Sequence, residues 1–543
     1  MIKKHLQRLF CIAITLSGMT QVFSNAYVGP NAQGKEVQEV RALKEVLKDA
    51  KAIDAILAKG YSKNKVKPLP LADDATFVRR AHLQVGGRIP TYQETIGFLE
   101  SNDPQKQSGL IDRILNSEAY DSHTFNWWAD LLRIQSPSRS GGANNVGGGV
   151  SYAIWMMNAI RQNMPFDEVA RKLITAKGYP WNNGAVGYYM RDAGMPLDNM
   201  SNTTQVFLGT QIVCAQCHNH PFEKWSQDNY YGIAAAFTRI GRQKGAKPDE
   251  EIIHVTRSGE IKQPRTGQTM KVHLLLTGDV DVPADQDRRR VFADWLVSEE
   301  NPFFARAAVN RIWGHLMGRG IVEPVDDFRD SNPPSNAALL DSLAEQFTKN
   351  GFSRKWAIRT IMSSRVYQLS SKKNDFNADD EIYASHATPR LLSAEQLLDA
   401  ICQVTDVAES FKGLPAGTRA VALPDPPTDH YFLKVFGQPQ REMACQCERS
   451  SESNLSQALQ MINGPTVHNK LRADNGRIHQ MVKAGKKDDQ IITTLYLAAL
   501  ARNPVEAELN ASQKHIAGST DRLLALEDVG WAILNSKEFL FQH

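Results

Sequence analysis

Apolar positions recur at helical spacing along most of this chain. Val37 to Lys59 is an Ala/Leu-rich amphipathic stretch, closed by the Pro-bearing break Lys67-Pro68-Leu69-Pro70. Asp73 and Asp74 are helix-start residues for Phe77 to Gly86. Ser108 to Leu115, Ser122 to Ile134, Ser151 to Met164 and Phe166 to Ala176 carry the same period, the last stopped by Gly178 and Pro180. In the second half, Ala305, Ala308, Val309, Ile312, Trp313 and Leu316 fall on one helical face ended by Gly318 and Gly320. Ala337 to Lys349, Ser353 to Ser363, Ser393 to Val404, Leu455 to Asn463 and Gln490 to Ala501 follow.

Two stretches break the pattern. Ser138 to Gly149 is a Ser/Gly/Asn loop without periodicity, and Gly413 to Gly437 is loop-rich with Pro424, Pro426 and Pro427. Between the halves the character changes, with the β-branched runs Ile252-Ile253-His254-Val255 and Val272-His273-Leu274-Leu275-Leu276 around Gly259 and Gly267. The prediction is a mainly α protein of two helical lobes with a small β insert between them. The expected domains are a leader at 1–26, an N-terminal helical domain at 27–250, the insert at 251–285 and a C-terminal helical domain at 286–543.

An internal echo joins the two ends. Gly87-Arg88-Ile89-Pro90 with Glu94 is followed by Ile114-Leu115-Asn116-Ser117, and Ala501-Arg502-Asn503-Pro504 with Glu508 is followed by Ile533-Leu534-Asn535-Ser536. Pro at a helix start and Glu in the first turn are capping chemistry, so the echo reads as a duplicated helical hairpin rather than a catalytic motif.

The N-terminus has the form of an export signal. Lys3, Lys4 and Arg8 precede the apolar stretch Leu9 to Met19, and Ser24-Asn25-Ala26 is a small-x-small cleavage site that makes Tyr27 the expected mature N-terminus. Cys11 lies inside the apolar stretch, a poor position for a lipid-bearing cysteine. The expected location is periplasmic or secreted, with no transmembrane segment after cleavage. Loss of the leader takes the net charge from +4 to +1, which gives no footprint for nucleic acid.

Of six cysteines, Cys214, Cys217, Cys402, Cys445 and Cys447 stay with the mature chain, too few for a disulfide scaffold. Cys214-Ala215-Gln216-Cys217-His218 is a C-x-x-C-H, the spacing at which two thiols anchor a haem and the next His ligates its iron. On an α-helix the three side chains share one face, and the apolar stretch Thr204 to Val213 would carry the motif into a core. Three readings stay open. One is haem c on Cys214, Cys217 and His218, in an exported redox or electron-transfer protein with a redox or cell-envelope partner. Met190, Met195, Met200, His123 and His315 are then candidate sixth ligands. The second is a zinc or other metal site, in which Cys445 and Cys447 join Cys214 and Cys217, or His218 and His220 contribute imidazoles, in a protein serving binding or hydrolysis. The third is short-range disulfides or buried thiols.

The C-x-C pair Cys445 and Cys447 cannot present both thiols on one helical face but can in a turn, so it is expected near the C-x-x-C-H. Cys402 is expected as a buried free thiol. Asp326-Asp327 could do acid–base work or hold a hard cation, against the simpler reading of acids that cap a turn and pair with Arg306, Arg311 or Arg319. Glu448-Arg449 reads as a salt-bridge element, and no G-x-S-x-G, H-E-x-x-H, Walker A or G-x-G-x-x-G run occurs.

Phe77-Val78-Arg79-Arg80, Gly87-Arg88-Ile89-Pro90, Trp128-Ala129-Asp130-Leu131-Leu132-Arg133, Phe207-Leu208-Gly209 and Cys214 to Phe222 together resemble the secreted planctomycete-type proteins of domain of unknown function 1549. Asn301-Pro302, Val309 to Trp313, Gly318 to Pro324, Asp326-Asp327-Phe328, Pro389-Arg390-Leu391 with Glu395, and Cys445 to Arg449 resemble its usual partner, domain 1553. The resemblance implies a cytochrome-associated family. Longer members carry a separate N-terminal cytochrome domain, so an electron-transfer role here would rest on Cys214, Cys217 and His218 alone.

Overall fold

The computed structural model describes residues 43–136, 148–221, 223–246, 251–372, 377, 379–444, 448–449 and 454–543. The leader, its cleavage site, most of the Ser/Gly/Asn loop and the Cys445–Cys447 pair lie outside these residues.

Helices dominate, and their ends follow local chemistry. The Asp74–Gly86 helix is capped by Asp73, whose carboxylate accepts from Thr76 N, and Gly87 stops it at φ 64°. The Ala337–Lys349 helix turns Leu339, Leu340, Leu343, Ala344 and Phe347 inward, as its period predicts. Ser353 and Ser393 cap the Arg354–Ser363 and Ala394–Thr405 helices through bonds from Trp356 N and Gln396 N. The β insert is two antiparallel hairpins. Ile240–Lys244 pairs with Glu251–Val255 in the register Ile240↔Val255, and Val272–Leu274 pairs with Gly278–Val280. Glu251–Val255 carries a β-branched run, whereas its partner has only Ile240, and the second hairpin has only Val272 and Val280.

One apolar cluster gathers residues from Ile53 to Leu369 together with Ala444 and Ala501, and carries the aromatic contacts of Phe166 with Trp128, Phe207 and Phe304. A second gathers residues from Leu392 to Phe539 and draws in Leu83 and Ile89 from the first half. Arg79 joins the ends of the chain: it is buried, and donates to Ala499 O at 3.3 Å and Phe539 O at 2.8 Å. Arg390–Leu391 pairs as a short strand with Phe541–Gln542.

The echo is a duplicated turn, matched bond for bond. Arg88 grips Glu94 through Nη1 at 2.7 Å and Nη2 at 2.6 Å, while Nη1 also donates to Ile89 O at 3.0 Å. Arg502 grips Glu508 at 2.8 and 2.9 Å and donates to Asn503 O at 3.0 Å. Glu94 also accepts from Thr91 N at 2.7 Å and Glu508 from Val505 N at 2.8 Å, and Ser117 and Ser536 cap the next helices. Arg502 has a second carboxylate, Glu538, at 2.6 Å. Arg88→Ala is therefore expected to cost about 1–2 kcal/mol in urea denaturation and Arg502→Ala more, since two charge-assisted pairs are lost. Equal losses at the two turns would contradict the assignment.

Candidate functional site

The approach to the cysteine motif is set by a glycine. The Pro196–Leu208 helix ends at Gly209 in the left-handed conformation, φ 63°. A Cβ there would lie 2.7 Å from the Phe328 ring, and Gly209 O accepts from Phe328 N at 2.8 Å. The chain then makes one 3-10 turn, Val213–Gln216. Ile212 and Ala215 point inward, whereas Cys214, Cys217 and His218 face solvent. Two expectations are corrected here. The motif is not on an α-helix, because Gly209 ends the helix before it. The apolar stretch Thr204 to Val213 buries its own Thr204, Val206, Phe207, Leu208 and Ile212 rather than the cysteines.

The loop after the turn is strapped to the Gln227–Ala234 helix. Gln216 O accepts from Gln227 Nε2 at 2.9 Å and Tyr231 Oη at 3.3 Å, Asn219 Oδ1 accepts from Gln227 N at 3.0 Å, and His220 N donates to Trp225 O at 2.8 Å. His218 Nδ1 lies 2.7 Å from Asn219 O. A carbonyl can only accept, so Nδ1 carries the proton and Nε2 is left as the lone-pair nitrogen. Burial raises the Tyr230 and Tyr231 phenols, and the neighbouring Cys217 thiol adds to the shift. Cys214 and Cys217 are unpaired thiols; so is Cys402, half-buried and pushed up to about 11 by burial. Among the described residues, no three His, Cys, Asp or Glu side chains converge to hold a metal ion. Cys445 and Cys447, and with them their distance from this loop, lie outside those residues.

The Asp326-Asp327 pair meets the same region from the second half. Asp326 is 5 % exposed and accepts from Gln205 Nε2 at 2.8 Å and Gln211 Nε2 at 3.4 Å, with Arg311 Nη2 at 3.9 Å. Burial raises the Asp327 carboxyl, and Arg329 stands 2.9 Å away. These are paired structural acids; Arg329 joins Arg311 as a partner, while Arg306 goes to Asp341 and Arg319 to Glu381. Glu223 accepts from Asp330 N at 3.2 Å and Ser331 Oγ at 3.1 Å, and Trp225 meets Phe303 at 6.2 Å between ring centres. The segment behind the cysteine loop is thus clamped by residues 328–332.

Residues 52–242 match the family described as protein of unknown function DUF1549, short name PSCyt2. Residues 288–516 match protein of unknown function DUF1553, short name PSD1. The chain carries the paired DUF1549 and DUF1553 domains. No curated protein and no solved structure matches it. The cysteine loop falls in the DUF1549 stretch, its clamp in the DUF1553 stretch, and the β hairpins near 240–280 between them. No helix of the described residues is long and apolar enough to cross a membrane.

A second junction between the DUF1549 and DUF1553 stretches is ionic. Arg449 Nη1 meets Glu395 at 2.6 Å and its Nη2 meets Asp130 at 2.7 Å; Glu395 is 1 % exposed. Arg441, equally buried, donates to Asp130 at 3.0 Å, Asn126 Oδ1 at 2.9 Å and the carbonyls of Ile134 and Pro424. Glu448 accepts from Gln440 N, Glu442 N and Met443 N. Glu448 and Arg449 are structural, as their sequence predicts, whereas Asp130, Glu395 and Arg441 were not singled out as partners. No local signal marks them, since Asn126 lies one turn from Asp130 and Asp399 one turn from Glu395 on the same helices.

Of the candidate sixth ligands, Met190 and Met200 are buried and Met195 is exposed. His123 and His315 face each other with ring centres 5.5 Å apart, in a cavity that no cysteine-loop residue lines.

Proposed function

We propose that the protein is exported and transfers electrons through one c-type haem carried on Cys214, Cys217 and His218. The observation that carries this reading is His218. Its Nδ1 is held by the Asn219 carbonyl and the residue is exposed, the arrangement that orients an imidazole for iron. The donor set fits the group: two free thiols are available for thioether bonds, and haem attachment does not require thiols and imidazole to converge on one point. Haem, when bound, supplies reversible one-electron chemistry. Gln227 and Trp225 hold the loop backbone on either side of His218. The short name PSCyt2 carries a cytochrome label consistent with this reading.

A second reading, a thiolate metal site on Cys214 and Cys217 with His218 or His220, draws on the same free, exposed thiols. The two separate on a denaturing gel of protein exported alongside haem-attachment machinery. Haem that stays with the chain, and is lost in Cys214→Ser/Cys217→Ser, supports the haem; a colourless chain whose native form holds zinc by elemental analysis assigns the second reading. Export itself predicts Tyr27 as the mature N-terminus, checked by N-terminal sequencing, and retention of Met1 on a cytosolic protein would contradict it.

A further inference from the structure

We propose that the cavity between the Glu118–Leu131 and Phe304–Met317 helices binds a small monatomic anion of the halide class, held by Arg354 and the indole N–H groups of Trp127 and Trp128. Arg354 is 3 % exposed and has no ion-pair partner among the described residues. Its Nη2 donates to Ala159 O at 3.3 Å and Met164 O at 3.5 Å, and its guanidinium carbon lies 6.0 Å from the Trp128 ring centre, but Nε and Nη1 have no hydrogen-bond partner. A buried cation without a counter-charge is costly, and that cost is what a bound anion removes.

The cavity has the size and lining for it. It encloses about 20 Å³, enough for a single atom somewhat larger than a water and too little for a polyatomic anion. Tyr120, His123, Trp127, Trp128, His315 and Arg354 are among its walls. The Nε1 atoms of Trp127 and Trp128 are buried without a partner, and indole nitrogen can only donate. The two histidines add no positive charge. Burial lowers His123 to about 4 and His315 to about 3, and the cations Arg449 and Arg390 push them further down, so both are neutral at pH 7. The same cations disfavour a metal ion between the two imidazoles. Neither the cysteine loop nor its strap contributes to this cavity, so the inference is independent of the haem.

The test compares thermal midpoints of the mature chain in sodium chloride, sodium bromide and sodium gluconate at equal ionic strength. A saturable rise of about 2 °C or more in either halide over gluconate is expected, because the ligand binds only the folded chain. Arg354→Met should abolish that difference and Trp128→Phe should reduce it. Should Arg354→Met fail to fold, bromide anomalous scattering from crystals of the unaltered chain decides, with a peak expected between Arg354 and the two indoles. Equal midpoints in all three salts, or an empty cavity in the bromide crystals, would overturn the proposal.

Discussion

Arg449→Met is expected to destabilise the folded chain by about 3–5 kcal/mol, because it leaves the Glu395 carboxylate buried without a cation. Asp130 keeps Arg441 as a partner, so Glu395 bears the loss. The double variant Arg449→Met/Glu395→Met should recover most of it, since removing both charges also removes the uncompensated one. Urea denaturation of the single and double variants measures the coupling. The pH dependence carries a sign. Burial alone would raise Glu395, but Arg449 overrides it and holds the carboxyl at about 2, below its ordinary 4.5. The unfolded chain therefore takes up the proton first, and the pair's contribution, complete above pH 4.5, is lost as pH falls towards 2. In Arg449→Met that acid loss should vanish. A single variant as stable as the parent would show that the junction is not built on this pair.

The positions where the sequence and the structure part are instructive. Ala337–Lys349 has the bounds that its apolar period predicts, since one face is buried and the other wet. Leu455–Asn463 has its predicted bounds too, but it buries Gln457, Gln460 and Met461 and leaves Leu455, Leu459 and Ile462 exposed. Glu506–Gly518 escapes the same reading because it buries only Ile516, so it has no apolar face to detect. The duplicated Arg88/Glu94 and Arg502/Glu508 turns were legible because their bonds join residues six apart in the chain. The ionic junction was not: Asp130 and Arg449 are separated by 319 positions, and nothing local marks which acid a distant arginine will meet. At the cysteine motif the spacing names the residues, but the face they present depends on Gly209, whose left-handed turn ends the helix and whose missing Cβ leaves room for Phe328 from the other half.

The second large effect concerns the proposed haem site. His218→Ala should leave both thioether bonds intact, because Cys214 and Cys217 are separate side chains on the preceding turn, yet it removes the imidazole held by Asn219. The expected result is a chain that keeps covalent haem with a changed absorption spectrum and a shifted midpoint potential. Cys214→Ser/Cys217→Ser should instead lose the haem outright. Identical spectra for the parent and His218→Ala would remove His218 from the iron.

Intact-mass analysis of the exported mature chain, made in a host with haem-attachment machinery, decides whether this loop carries haem. The expected mass is that of the chain from Tyr27 to His543 plus one covalently bound haem, with the adduct on the peptide containing Cys214 and Cys217. An unmodified mass under those conditions would contradict it.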